Sequence, residues 1–423
     1  MKLLFAATPL TGHINPLLSI AGAAASRGDD VVVTTSRAFC GRVEEAGLRC
    51  LTYADDHAAE FRETALPAGP ERYRREFEQR FIDRMPLQAR VLHDLIARER
   101  PDAVVAGSLF LGVLPLLLDA RPRPPVVVVN VSFLFLDRPD GAPVGPGLPP
   151  ARDAAEAARY AAIRAAVDAA FTNPVRAYTD RALAGLGLGG LPASLPHAIL
   201  TLPDALVQLT IPSFEYPFDP LPRTVHFVGA LPPPASADPR PGWWPDLDGG
   251  RRVVLVTQGT LANQDLGELL EPTLAALAAR QDLLVLATTG GRPLDAVRGP
   301  LPPNARVATF LPFGDLMPRI DALVTNGGYG TVLAALQAGR PIVSAGLTED
   351  KAEVGARVAW SGVGLNLATN APDPDSLSRS VAAVLDEPRY RARAGAMAAE
   401  FARHDTPGEI LAVIDATCRA AAA

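Results

Sequence analysis

Short apolar runs recur along this chain, each followed by a glycine-, proline- or asparagine-bearing turn and then by an alanine- and leucine-rich stretch of helical period. Lys2 to Ala7 is the first such run; it ends in Thr8-Pro9-Leu10-Thr11-Gly12-His13, after which Asn15-Pro16 reads as the N-cap and first residue of a helix closing near Arg27-Gly28. Val31-Val32-Val33-Thr34-Thr35 is the next strand, so residues 2 to 35 predict a β-α-β unit. The runs are apolar throughout rather than alternating, as in parallel strands covered on both faces.

Further helices are expected over Phe39 to Ala46 and Glu71 to Arg98, with strands at Ala103 to Ala106 and Val126 to Asn130. Asp137 to Pro150 reads as a surface loop, and Arg152 to Leu183 as a helix broken near Asn173-Pro174. Prolines crowd the stretch from Ile211 to Leu247, which reads as an interdomain linker. The alternation then resumes with strands at Val253 to Thr257, Leu283 to Ala287, Val307-Ala308, Ala322 to Thr325 and Pro341 to Val343, and a helix around Leu266 to Arg280. The expected fold class is α/β, with two Rossmann-like domains whose parallel sheets face across a cleft. Residues 1–232 are the first domain, 233–400 the second, and 401–423 a C-terminal helix.

With 423 residues, 48% hydrophobic and 20% charged, the chain reads as globular with ample core. Lys+Arg 40 against Asp+Glu 46 gives a net charge of −6 without a basic stripe, which argues against a nucleic-acid partner. The apolar runs Leu109 to Leu118 and Val126 to Leu136 are too short for a membrane span of roughly 20 residues. Cys40, Cys50 and Cys418 lack paired or zinc spacing and read as buried free thiols in a reducing, cytoplasmic setting. Met1 to Ala7 is too brief an apolar start for a signal peptide and reads as strand.

The chemistry concentrates in Thr325-Asn326-Gly327-Gly328-Tyr329-Gly330-Thr331, a glycine turn running from a buried strand into a helix. Glycines let the backbone approach a ligand, and the free N–H groups at a helix start attract an anion such as phosphate. Asp246-x-Asp248 mimics a metal-binding pair but sits among turn residues, and no metal site is expected. His57, His93, His197, His226 and His404 share no spacing.

Ordered motifs name a family. Gly12-His13-x-x-Pro16, Phe227-Val228-Gly229, Thr257-Gln258-Gly259-Thr260, Phe310-Leu311-Pro312, the Gly-Gly-x-Gly-Thr turn, Gly339-x-Pro341, Asp350 seven residues before Arg357-Val358, and Gly362-x-Gly364 follow in sequence. Over essentially its whole length the chain resembles the family-1 nucleotide-sugar glycosyltransferases of GT-B fold, bacterial natural-product type. The resemblance implies inverting, metal-independent transfer of a sugar from UDP or TDP to a hydroxyl of a small acceptor held by the first domain, expected to be a hydrophobic or aromatic natural product. It implies His13 as general base, and Gly259, Thr260, Leu311, Asn326, Gly328, Gly330, Thr331, Asp350 and Lys351 as donor contacts. No cofactor beyond the nucleotide sugar is implied, and a monomer or homodimer is expected. Leu10, Phe81, Met85, Phe110, Phe133 and Phe135 are the candidate acceptor pocket.

Four positions depart from the family pattern. Asn326 stands where a histidine opens the glycine turn, Ala334 where a glutamate holds the ribose, and Lys351 where a glutamine follows the sugar-binding aspartate. Gly107, followed by Ser108, replaces the aspartate that orients the base, so Ser108, or a carboxylate such as Asp102 or Asp119, is the candidate substitute partner of His13. A weaker base implies an acidic acceptor such as a phenol. Two alternatives fit the same residues: a degenerate, non-catalytic GT-B binding protein, and a GT-B sugar-nucleotide epimerase.

Overall fold

The computed structural model describes residues 1–53, 70–233, 240–260 and 262–422. The apolar runs assemble into two sheets, parallel throughout. The first is ordered β3-β2-β1-β4-β5-β6-β7, from β1 (Lys2–Ala6), β2 (Asp30–Ser36), β3 (Arg49–Tyr53), β4 (Ala103–Gly107), β5 (Val126–Asn130), β6 (Ala205–Gln208) and β7 (Val225–Phe227). The second is ordered β10-β9-β8-β11-β12-β13, from β8 (Arg252–Thr257), β9 (Leu283–Thr288), β10 (Ala305–Ala308), β11 (Ala322–Thr325), β12 (Ile342–Ser344) and β13 (Gly364–Asn366).

Successive residues of each central strand serve opposite cores, which is why their sequences are apolar without alternation. Leu4, Val104 and Val128 pack one way with Met85, Leu92 and Leu114, while Leu3, Phe5, Val105 and Val129 pack the other way with Leu17 and Ile20 of the helix Thr11–Arg27. The C-terminal helix Thr406–Ala422 returns to the first sheet, placing Ile410, Leu411 and Ile414 in that second core. Its Thr406 hydroxyl donates to the Val228 carbonyl at 2.6 Å, and Gly229 (φ 74°) leaves space there that a Cβ would lose, 2.7 Å from His404.

Several expectations change. The first helix begins at Thr11 rather than at Asn15-Pro16, with Pro16 inside it, so His13 sits in the first helical turn. Pro16 lies beyond the first turn and so removes the hydrogen bond that an N–H there would make to the Gly12 carbonyl. The stretch from Ile211 to Leu247 is not simply linker: it contains β7, and Ile211 and Phe214 are buried in the core of the second sheet. Strands β3, β6, β7 and β13 add to those expected; β3, with Arg49 and Thr52 exposed, presents no continuous apolar run. Cys40 and Cys50 are not free buried thiols but a half-exposed disulfide, Cα–Cα 5.8 Å, because the helix Arg37–Glu45 folds back beside the sheet's edge strand β3. Cys418 remains a free, half-buried thiol.

The Asp246 carboxylate is taken by Arg306 at 2.6 Å and that of Asp248 by Arg319. His93 lies 3.2 Å from Arg121, His197 faces Asp137, His404 contacts Glu409 at 2.9 Å, and His226 is an exposed residue; His57 and Pro234 to Pro239 lie outside the described residues. Among the described residues no helix is long and apolar enough to cross a membrane.

Candidate active site

In a parallel sheet, the helix following a strand starts at that strand's C-terminal end, so loops gather along one edge. The two sheets turn these edges toward each other. Ser132, just beyond β5, donates its hydroxyl to the Asp350 carboxylate at 3.3 Å, and Gln208, ending β6, donates to the Tyr329 hydroxyl at 3.3 Å.

On the first edge, β1 pairs with β4 in a register that aligns Ala6 with Ala106, so Thr8 and Ser108 leave the sheet side by side. Leu17 of the Thr11 helix lies 3.7 Å from where a Gly107 Cβ would stand, and the Thr8 hydroxyl lies 3.9 Å from it. His13 precedes Leu17 by four residues and shares its helix face, about one turn nearer the edge. The ring is half-buried, and its Nδ1, the Ser108 hydroxyl and the Thr8 hydroxyl are all buried without a hydrogen-bond partner. Burial pushes the His13 imidazole down to about 4. It is therefore a neutral base at neutral pH, and a weaker one than free imidazole.

On the second edge, β8 and β11 align Thr257 with Thr325, bringing Gly259 and exposed Thr260 beside the glycine turn. The helix after that turn, Tyr329–Gln337, begins earlier than the apolar pattern implied. Gly328 is its N-cap and Gly330 and Thr331 lie on its accessible first turn, where unpaired N–H groups point outward. Gly327 adopts φ 97°, a left-handed conformation that disfavours side chains. Asn326 departs from expectation. Its amide donates to the carbonyls of Gln258 (2.6 Å) and Ala262 (3.4 Å), so it ties the β8 loop to the turn and neither caps the helix nor points a donor at a ligand. Leu311 is buried beside the site, and Ala334 is buried in the core behind it. Burial pushes the Asp350 carboxyl up from its ordinary value, and Lys351 follows as the first residue of the helix Lys351–Trp360.

The proposed acceptor residues separate. Leu10 and Phe81 are half-buried near the first edge, but Met85 and Phe110 are fully buried core, because their apolar neighbours close over them. Phe133 is buried too, and with Phe135 it packs toward the second domain, its ring 4.5 Å below the Arg357 guanidinium. Sequence reasoning missed Tyr73, Phe77 and Phe171. Tyr73 stacks on Phe171 with ring centroids 5.3 Å apart, and Phe77 joins Phe171 to Phe81. Phe81 and Phe171 sit in neighbouring π-helical turns, Glu78–Ile82 and Asp168–Thr172. The i, i+4, i+8 spacing of residues 73, 77 and 81 was the available signal.

Arg357 fastens the two edges together. Fully buried, it donates to Glu215 at 2.7 Å and Glu353 at 2.8 Å and lies between the rings of Phe133 and Tyr216. Glu353 in turn accepts from the Gly145 (2.7 Å) and Gly147 (3.2 Å) amides, and Glu215 accepts from the Leu134 amide at 3.0 Å. Burial pushes Glu215 up and the adjacent guanidinium opposes it.

The geometry thus pairs a neutral base on one edge with an anion-receptive helix start on the other. Residues 272–416 match the family model described as Erythromycin biosynthesis protein CIII-like, C-terminal domain. The chain is 38% identical to 4'-demethylrebeccamycin synthase of Lentzea aerocolonigenes, over 98% of this chain and 97% of that protein. It is 35% identical to UDP-glycosyltransferase 2 of Phaeomoniella chlamydospora, over 97% and 94%. Among solved structures it resembles CalG4, the calicheamicin glycosyltransferase, with TM-score 0.73 and 22% identity over 98% of each chain. Fold, motif order and full-length similarity agree: the chain belongs to the family-1 nucleotide-sugar glycosyltransferases of GT-B fold and is a glycosyltransferase.

Proposed function

We propose that the protein transfers a sugar, with inversion and without a metal ion, from a UDP or TDP donor to an acidic hydroxyl of a small aromatic natural product. The reading rests on one observation: a half-buried imidazole, neutral at neutral pH, lies on the edge of one sheet and a helix start able to receive a diphosphate on the facing edge of the other. In the reaction the acceptor oxygen attacks the anomeric carbon from the face opposite the diphosphate. His13 Nε2 takes the acceptor proton as the new bond forms. The diphosphate leaves with the bonding electron pair toward the first turn after Gly328, where the N–H groups of Gly330 and Thr331 and the hydroxyls of Thr260 and Thr331 offset its charge. Gly259 and Leu311 shape the nucleoside side of the site, and Asp350 accepts from sugar hydroxyls, exchanging its bond to Ser132 for them. A helix start and hydroxyl donors supply stabilisation that a metal supplies in other transferases, which supports metal independence.

The relatives add to this reading. The names of similar proteins include UDP-glucosyltransferase B1 of Starmerella bombicola and an elloramycin glycosyltransferase of Streptomyces olivaceus, and one similar fold, VinC, was solved with dTDP. On the acceptor side the Tyr73, Phe77, Phe81 and Phe171 rings suit a planar partner. A base as weak as His13 favours an acceptor that loses its proton readily. Ser108 is the positioning residue in this reading: its hydroxyl oxygen, unpartnered like His13 Nδ1, is the acceptor for a hydrogen bond from Nδ1–H.

The test is turnover of UDP- and TDP-sugars with phenolic and alkyl alcohol acceptors, with and without a chelator, following the anomeric configuration of the product. Phenols should be preferred, chelation should leave the rate unchanged, and the configuration should invert. Preference for alkyl alcohols, loss of activity on chelation, or retention would each remove the corresponding part.

A further inference from the structure

We propose that Lys351 is the cationic ligand of the donor diphosphate, standing in for charge that the glycine turn itself lacks; the inference rests on the nucleotide-sugar reading above. The turn supplies dipole and N–H groups but no full positive charge, because Asn326 is neutral and its amide is spent on the Gln258 and Ala262 carbonyls.

The Lys351 side chain is threaded along the turn. A Cβ on Gly327 would stand 3.3 Å from the Lys351 carbonyl oxygen and 3.5 Å from its Cβ, and one on Gly346 would stand 3.1 Å from its Cδ. The stem therefore passes two glycines, and a Cβ on Gly346 would meet the Asn326 carbonyl oxygen at 2.2 Å as well as the lysine stem. Only 5% of the side chain is exposed, and it helps line a cavity of about 10 Å³ with Gln258, Glu268, Asn326, Thr348 and Asn370. Lys351 is the one cation among the residues lining that cavity, which has room for about one water.

A buried ammonium needs a counter-charge. Here it is Glu349, whose carboxylate pairs with Nζ. That partner is exchangeable: its side chain is 42% exposed, and its backbone takes φ 56°, a conformation non-glycine residues hold at some cost. A phosphate oxygen entering at the helix start would compete with Glu349 for this ammonium, whose stem begins against Gly327 of the same turn. A lysine serves such an anion as a point charge.

Calorimetric titration with uridine, UMP, UDP and a UDP-sugar, repeated with the thymidine series, tests this on the whole chain. Wild type should bind UDP more tightly than uridine. Lys351→Gln should weaken UDP by about tenfold or more and leave uridine unchanged, as expected for loss of one charge-assisted phosphate contact. Lys351→Arg should restore part of it, and Glu349→Gln should tighten UDP by removing the competing carboxylate. UDP affinity unaltered in Lys351→Gln, or equal losses for uridine and UDP, would overturn the assignment. Loss confined to the UDP-sugar would overturn it too, by moving Lys351 to the sugar. If Lys351→Gln does not fold, Glu349→Gln decides alone, and unchanged UDP affinity in it overturns the proposal. Wild type that binds uridine but gains nothing from phosphates sinks the inference only, whereas wild type that binds no nucleoside or nucleotide sinks the donor reading with it.

Discussion

The turn after β1 and the turn after β11 are both strand-to-helix connections at the C-terminal edge of a parallel sheet, yet they treat charge oppositely. After β11, glycines leave the helix start bare, so N–H groups face the cleft and an anion is welcome there. After β1, the helix start carries His13, whose Nδ1 is buried without a partner, and burial lowers its value to about 4. Side-chain volume makes the difference: an open turn exposes backbone dipole to a ligand, whereas a filled one desolvates its titratable group. In the proposed reading, the same supersecondary element yields an anion receptor or a neutral base according to what stands on its first turn.

The largest effect should come from emptying the filled turn. His13→Ala should lower kcat by about 10²–10⁴-fold with little change in nucleotide affinity, measured by steady-state kinetics beside UDP titration. An unchanged kcat would end the distinction between the turns.

Next is the pin that keeps the turns opposed. Arg357→Met strands the Glu215 and Glu353 carboxylates in the core, so unfolding free energy should fall by about 3–5 kcal/mol in denaturant melts. A loss under about 1 kcal/mol would show that water reaches the pair and that apolar packing alone holds the edges together.

The smallest effect sharpens the comparison by pH. Because burial lowers the His13 value from 6.5 to about 4, the active neutral form persists as pH falls, and the acid limb of kcat/KM should have its midpoint near 4. The same group contributes to stability with this sign: its neutral burial costs nothing extra above pH 6.5 and becomes destabilising as pH drops from 6.5 toward 4, since the unfolded chain binds the proton first. Gly107→Asp introduces a carboxylate beside the ring, into space where Leu17 lies at ordinary contact distance, and should move the acid limb upward by about one unit. A limb already near 6.5 in wild type, or unmoved by Gly107→Asp, would mean that His13 is hydrated or does not set the rate.

Much of this was legible in the residues. Runs such as Val253 to Thr257 declare buried strands by their length without alternation, and Gly327, Gly328 and Gly330 mark a turn whose backbone must stay bare. The start of the first helix was misread because Asn15-Pro16 is a good local signal, while the true start is set by how β1 delivers the chain onto Leu17 and Ile14 packing. Phe133 and Met85 were indistinguishable from pocket residues by type alone. Packing put one under Arg357 and the other in the core. The Cys40–Cys50 pairing required the helix between them to fold back, which spacing does not encode.

By itself the sequence determined the parallel α/β architecture, the two domains' alternation and the order of motifs that identifies the glycosyltransferase family, because hydrophobic period and turn chemistry are local properties of the chain. Only the tertiary structure decided which polar groups lost water and which found partners. Ser132 meets Asp350 across 218 positions, and Arg357 meets Glu215 across 142. His13 becomes a weak neutral base through burial, and Lys351 is laid along a glycine turn more than twenty residues away. Desolvation and ion pairing depend on what closes over a group from elsewhere in the fold, and no local pattern carries that information.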